Sequence, residues 1–284
     1  MSILDYKIDF AVVLTVTKAN PNGDPLNGNR PRQNYDGYGE ISDVAIKRKI
    51  RNRLQDMGES IFVQSNDRNV DEFRSLRERV EGNELLGKMF KAKEISNEEF
   101  AAVACREWLD VRSFGQVFAF KGAKTGVPVG VRGPVSIHTA TSIDPIDITS
   151  MQITKSVNSE PGKEKGSDTM GMKHRVDFGT YVFYGSINTQ LAEKTGFSIE
   201  DAQKLKQALI TLFENDSSAA RPDGSMEVNK VVWWEHSTKL GQYSSAKVHR
   251  SLKIESVEEP KSFEDYIIEV QELEGLKVEV IDGQ

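Results

Sequence analysis

The stretch Tyr6–Thr17, Y-K-I-D-F-A-V-V-L-T-V-T, alternates strictly, with Tyr6, Ile8, Phe10, Val12, Leu14 and Val16 on one side and Lys7, Asp9, Ala11, Val13, Thr15 and Thr17 on the other. A period of two is that of a β-strand with one buried face, because successive side chains of an extended chain point to opposite sides. Beyond a loop rich in Gly, Asn and Pro, Ser42 precedes Ile46, Ile50, Leu54 and Met57, whose spacing predicts a helix capped by Ser42 and ended by Gly58. Further strands are expected at Phe114–Phe120, at Gly179–Asn188 and near Lys230–Glu235. Between the last two, Ser198 and Asp201 form a capping box ahead of Ala202, Leu205, Leu209, Leu212 and Phe213, a second amphipathic helix. The order β-α-β-β-α-β predicts an α+β, ferredoxin-like unit, which is also the core of the RNA-recognition domain.

Two long insertions interrupt that unit. Glu59–Asp110 reads as helical and charged, with the lone cysteine, Cys105, in a helix core. Lys121–Asp177 is rich in Gly, Ser, Thr and Lys and is expected to project from the core. Its stretch Pro134–Ile148 is apolar, whereas within the polar stretch Asn158–Met172 the run Glu160–Asp168 has no apolar residue to offset ordering entropy, so this stretch is expected to be mobile in an isolated subunit. Beyond Lys247 come a strand, a short helix capped by Ser262 and a final strand at Leu276–Ile281; Trp233 and Trp234 are expected to fill the core and an interface.

A single cysteine excludes an internal disulfide and a multi-cysteine zinc site. No secretory signal or membrane span is legible near Met1 or elsewhere, so the expected compartment is the cytoplasm. The net charge of −6 argues against nucleic acid only on average. Residues 254–284 carry ten acids against Lys261 and Lys277, which leaves the remainder net positive. Within Val44–Arg53 stand Lys47, Arg48, Lys49, Arg51 and Arg53 with no acid among them, a local positive face off the apolar stripe.

The motifs A-N-P-N-G-D-P (Ala19–Pro25), G-N-R-P-R (Gly28–Arg32), D-V-A-I-K-R-K-I-R (Asp43–Arg51), D-V-R-S-F-G (Asp110–Gly115), G-P-V-S-I-H (Gly133–His138), K-H-R-V-D-F-G (Lys173–Gly179) and S-S-A-A-R-P (Ser217–Pro222) occur in order. In this ordered set the chain resembles the CRISPR-associated RAMP proteins that form the backbone of Cascade complexes, in particular the type I-C branch, from about Tyr6 to Val248. The resemblance implies a hand-shaped protein: a palm of about 5–58, 111–121 and 177–253, a fingers insertion of about 59–110, a thumb insertion of about 122–176 and an acidic extension, 254–284. It implies a non-catalytic subunit that lines up in several copies along a guide RNA (crRNA) and presents it to target DNA. Its other implied partners are the endonuclease subunit at the guide's 5′ handle, the large subunit, and a helicase-nuclease recruited later.

The residues fit RNA binding in their own chemistry. Asn20 and Asn22 lie in a loop able to approach phosphates, and Arg30 and Arg32 supply guanidinium forks. Lys47, Arg48 and Arg51 are expected to touch phosphates and to contribute little to stability, as exposed charges do. Met172, Lys173, His174 and Arg175 set an apolar wedge beside cations, and Arg221 sits in a Ser/Ala loop. Arg112 suits either an ion pair at the core edge or a phosphate, and the sequence leaves both open. Phe178, Tyr181 and Tyr184 do not match the aromatic signature of RNA-recognition domains and read mainly as sheet core. No cofactor or metal site is expected, since His138, His174, His236 and His249 are scattered. The competing reading is an endoribonuclease of the same broad class acting on target RNA or guide precursor, with Asp24 as the metal-dependent candidate and His174 as the metal-free one.

Overall fold

A computed structural model describes residues 2–91, 96–120, 129–154 and 170–284. In chain order the elements are β1 (Ile8–Ala19), the two-residue strands β2 (Gly23–Asp24) and β3 (Arg30–Pro31), β4 (Tyr38–Ile41) and α1 (Asp43–Asp56). Then come α2 (Leu76–Gly82), α3 (Glu84–Lys91), α4 (Asn97–Glu107), α5 (Leu109–Phe114), β5 (Gly115–Phe118), β6 (Val129–Arg132), β7 (Val135–Ile137), β8 (Ala140–Pro145) and β9 (Ile148–Thr154). The chain closes with β10 (Met170–Ile187), α6 (Thr189–Thr195), α7 (Ile199–Ile210), β11 (Met226–Glu235), α8 (Ser245–His249), β12 (Leu252–Ser256), β13 (Tyr266–Val270) and β14 (Lys277–Asp282).

The alternating stretch at the amino end becomes the middle of the main sheet. β1 pairs antiparallel with β10 from Ile8↔Ile187 to Ala19↔Val176, and with β11 from Ile8↔Glu235 to Val16↔Met226, with an irregularity at Val13/Leu14. β10 carries β7 and β8 on its other side, β8 carries β4, and β11 carries β14. β9 pairs with the start of β10, Met170–Val176, whose first four side chains are exposed.

α1 and α7 lie against one face. Both begin as read: Ser42 Oγ accepts from the Ala45 amide, and Ser198 with Asp201 closes a capping box. Ile46, Ile50 and Leu54 join Ala202, Leu205 and Leu209 against Phe10, Val12, Leu14 and Val16 in one apolar core. Gly58 has a φ of 87°, a left-handed conformation that suits glycine just past the helix end.

The expectation of a single buried face is corrected. Ala11 and Val13, with Val232 and Trp234, are covered by Val248 of α8, Leu252 of β12 and Leu276 just before β14. Trp234 therefore fills an intramolecular core rather than an interface, like Trp233 on the opposite side. Asp9 tolerates full burial because His236 Nε2 lies 2.8 Å away and Lys7 Nζ 3.1 Å. The expected helix after Ser262 is a single tight turn, Phe263–Asp265.

Two further corrections concern the insertions. Phe114–Phe120 does not enter the main sheet: α5 runs through Phe114, and β5 pairs with β6 alone. Phe118 is drawn instead into a second core with Phe62, Phe100, Cys105, Trp108 and Val129, where the Phe62 and Trp108 rings lie 4.5 Å apart. Conversely, Pro134–Ile148 does not project as a whole, since β7 and β8 carry Val135, Ile137 and Ala140 into the main core. Of the polar stretch Asn158–Met172, all but Met170–Met172 lies outside the described residues. No helix among the described residues is long and apolar enough to cross a membrane.

Candidate nucleic-acid interface

At 3.6 residues per turn, the five cations of α1 leave the helix in three directions. Lys47 turns back to Asp43 at 2.9 Å, and Arg51 reaches Asp110 Oδ2 at 2.9 Å while lying over the Phe114 ring. Lys49 and Arg53 face the end of α7, where Lys49 pairs with Asp216 and Arg53 Nε donates to Thr211 Oγ1 at 2.6 Å. Arg48 donates to the Val63 carbonyl at 2.7 Å and to Asn52 Oδ1 at 3.2 Å, and makes no ion pair among the described residues. The acid-free appearance of this run is thus a property of the local sequence only.

Arg51 in particular is a structural cation. Asp110 is fully buried and also accepts from the Phe62 and Val63 amides at 2.7 and 3.1 Å, so it joins the second core to α1. The expectation that Arg51 contributes little to stability is corrected on that ground, because its removal leaves a buried carboxylate uncompensated. Arg112 likewise makes a bidentate ion pair with Asp201, 2.8 Å for each bond, the arrangement of an ion pair at the core edge.

What α1 does expose is one wall of a groove of about 810 Å³. The other walls are the loop Pro21–Gly23, the segment Ser65–Val70, and the loop Asn215–Arg221 after α7. Arg48, Lys49, Arg68 and Arg221 bring four cations to it and Asp56, Asp67 and Asp216 three acids, with Asn22, Asn52, Ser217 and Ser218 as neutral partners. Asn22 Oδ1 accepts from the Ser42 amide at 2.9 Å, which fastens the loop to the start of α1. Asn20 is buried, and its Nδ2 donates to the Asn29 carbonyl at 2.7 Å, so it shapes the loop rather than facing the groove. Arg68 is held by both oxygens of Asp56. Burial and the nearby Arg51 pull the proton affinity of Arg48 down. Burial likewise lowers that of Lys49 to about 8, against the opposing pull of Asp216.

A second group forms along β9 and β10. Ser150 Oγ lies 2.8 Å from both Arg30 Nη1 and His174 Nδ1, which brings together two residues distant in sequence. Met172 and Lys173 are exposed beside it, and Arg175 Nε is 3.4 Å from Asp177. Arg32 lies 3.7 Å from Asp24, whose carboxylate also caps the following turn by accepting from the Leu26 amide. Among the described residues, no three His, Cys, Asp or Glu side chains converge as a metal site.

The structure therefore gathers Asn22, Arg48 and Arg221 in the groove, and Arg30, Met172, Lys173, His174 and Arg175 on the arm. Arg51, Arg112 and Asn20 each have partners within the fold. Lys49, Arg68, Ser217 and Ser218 were not singled out as site residues, although Lys49 stands in the same basic run and Ser217 and Ser218 open the motif that contains Arg221. Arg68 carried no signal, since it belongs to a charged segment of irregular pattern.

The profile of the family described as CRISPR-associated protein Cas7 matches residues 6–271. The CRISPR-associated protein Cas7 of Haloferax volcanii is 26% identical over 272 residues, covering 89% of this chain and 77% of the relative. A chain of the solved CRISPR RNA-guided surveillance complex in a pre-nicking state superposes with a TM-score of 0.50 at 16% identity, covering 80% of this chain and 78% of that one, which supports the mixed α/β fold. A family match over residues 6–271, most of the chain and all of the residues that line the groove, leaves one assignment: the chain belongs to the CRISPR-associated protein Cas7 family.

Proposed function

We propose that this chain is a guide-RNA-binding, non-catalytic backbone subunit of a type I Cascade complex, of the type I-C branch. The observation that carries the proposal is the groove: four cations converge on it from three separate segments against the three acids Asp56, Asp67 and Asp216, a net positive lining in a chain of net charge −6. Arginine and lysine suit phosphates and leave base edges free, so sequence reading is delegated to the RNA that pairs with target DNA. The strand order β11-β1-β10 with β7 and β8 beyond, all antiparallel, and two helices on one face is consistent with a ferredoxin-like palm. In that reading the second strand of the unit is β7–β8, the second core is the fingers, and the β9–β10 arm belongs to the thumb. Several copies assemble head to tail along the crRNA in the cytoplasm, beside the 5′-handle endonuclease and large subunits, before a helicase-nuclease is recruited.

The endoribonuclease reading gains no support from the side chains. The Asp24 carboxylate is engaged by Leu26 and Arg32, and His174 Nδ1 by Ser150. The test is assembly: protein stripped of nucleic acid and mixed with guide-length RNA should form a large, RNA-rich species, and guide precursor with Mg²⁺ should stay intact. A chain that remains monomeric and free of RNA, or that cuts the precursor and loses this in Asp24→Ala or His174→Ala, contradicts the assignment.

A further inference from the structure

One carboxylate oxygen in the groove serves two cations from opposite walls. Asp216 Oδ2 pairs with the Lys49 ammonium from α1, and the Nε of Arg221 lies 3.4 Å from it. The three side chains are graded in exposure: 7% for Lys49, 13% for Asp216 and 28% for Arg221. Because Nε is the atom held, both Nη groups of Arg221 are left without a hydrogen bond among the described residues, at the open end of the trio. A guanidinium held by its edge presents its remaining fork in a fixed direction, which is the geometry that matches a phosphate.

Resting on the reading that the groove holds RNA, we infer that Asp216 is a positioning residue: it aims the Arg221 fork at a phosphate of the bound RNA, and Lys49 cancels the carboxylate charge that would otherwise repel that phosphate. The trio then carries one net positive charge, all of it on the group nearest the groove. The groups that face Lys49 are Asp216 and Arg221 from the loop after α7, Arg68 from the turn Asn66–Arg68, and the Phe213 ring at 5.4 Å. Two of these are cations and one is apolar, so the ammonium depends on Asp216 to stay charged, and burial already brings its proton affinity down to about 8. When Lys49 loses its proton, the trio falls from one positive charge to none. RNA binding is thereby linked to pH: affinity is full while Lys49 is charged and declines on the alkaline side as it loses its proton.

The test is binding of a labelled single-stranded RNA between about pH 6.5 and 9 at fixed salt, with circular dichroism to verify folding of each variant. The wild-type affinity should fall by up to about tenfold at the upper end, the ceiling for one proton. Lys49→Arg, which keeps the charge throughout, should match wild type at low pH and lose the decline. The double variant Lys49→Met with Asp216→Asn leaves the net charge of the trio unchanged, so a charge count predicts wild-type binding; loss of the aimed fork predicts about fivefold weaker binding. A double variant that binds like wild type overturns the positioning role of Asp216, and a Lys49→Arg protein that retains the full pH decline overturns the part given to Lys49. Arg221→Ala separates the two levels: if it leaves RNA binding unchanged, the groove reading itself fails, and if it weakens binding while the double variant does not, only the positioning by Asp216 fails.

Discussion

The two faces of the central sheet are closed by different chemistry. On one face α1 and α7 lay apolar stripes against Phe10, Val12 and Leu14, and α1 turns Arg48 and Lys49 toward a cationic groove at the sheet's end. On the other, Trp234 and Val13 lie under Val248, Leu252 and Leu276 of a carboxyl-terminal cover, residues 245–284, whose exposed residues include Glu255, Glu259, Glu269 and Glu279. RNA-recognition domains stack bases on aromatic side chains of an open sheet face. Here Tyr184 on that face is stacked under His249 at 4.8 Å, and the acidic cover repels a polyanion. The covered face therefore offers no open aromatic platform, and the cations that remain accessible stand on the loops and on α1 instead.

The largest effect that sharpens the contrast is on the covered face. Trp234→Ala should cost about 3–5 kcal/mol in chemical denaturation, as large aromatic truncations in cores do. A loss below about 1 kcal/mol would mean that the extension is not integral to the fold.

Within α1 the comparison repeats at residue scale. Arg51→Ala should cost about 3 kcal/mol, because the buried Asp110 loses its ion pair, whereas Arg48→Ala should cost about 1 kcal/mol, the worth of a net hydrogen bond. Equal stabilities for the two variants would erase the distinction between structural and groove-facing cations.

A smaller effect concerns acid. Burial lowers the proton affinity of His249, with Asp9 pulling the other way, so the folded protein holds this proton less tightly than the unfolded chain. The stability tied to neutral His249 is complete above the ordinary histidine range near 6.5 and is lost as pH falls below it. Melting temperature should therefore drop on acidification from about pH 7.5 to 5.5, and less so in His249→Phe. An identical drop in that variant would place the acid sensitivity elsewhere.

Local signals were legible, and non-local choices were not. The stripe Ile46, Ile50, Leu54 and the Ser198–Asp201 box specify their helices through contacts one turn apart, and both helices stand where the spacing puts them. Phe114–Phe120 and Pro134–Ile148 both carry strand-forming residues, and which one enters the sheet is decided by partners: Phe118 finds an aromatic cluster, while Val135 and Ile137 find β10. The basic run on α1 was visible, but the acids that claim Arg51 and Lys49 stand 59 and 167 residues away. The groove was half legible for the same reason: Arg48 and Arg221 were singled out separately, and only folding sets them on facing walls with Arg68 between.

The central claim is that Arg48 and Arg221 hold phosphates of RNA in the groove. The most direct measurement is the slope of log affinity against log salt for single-stranded RNA, compared between the wild type and the variant Arg48→Ala with Arg221→Ala. Each phosphate contact on a single strand contributes about 0.7 to that slope, so the double variant should be shallower by about 1.4, with the same change on RNAs of different base composition. A slope that matches the wild type, or a change confined to one base composition, would contradict the account.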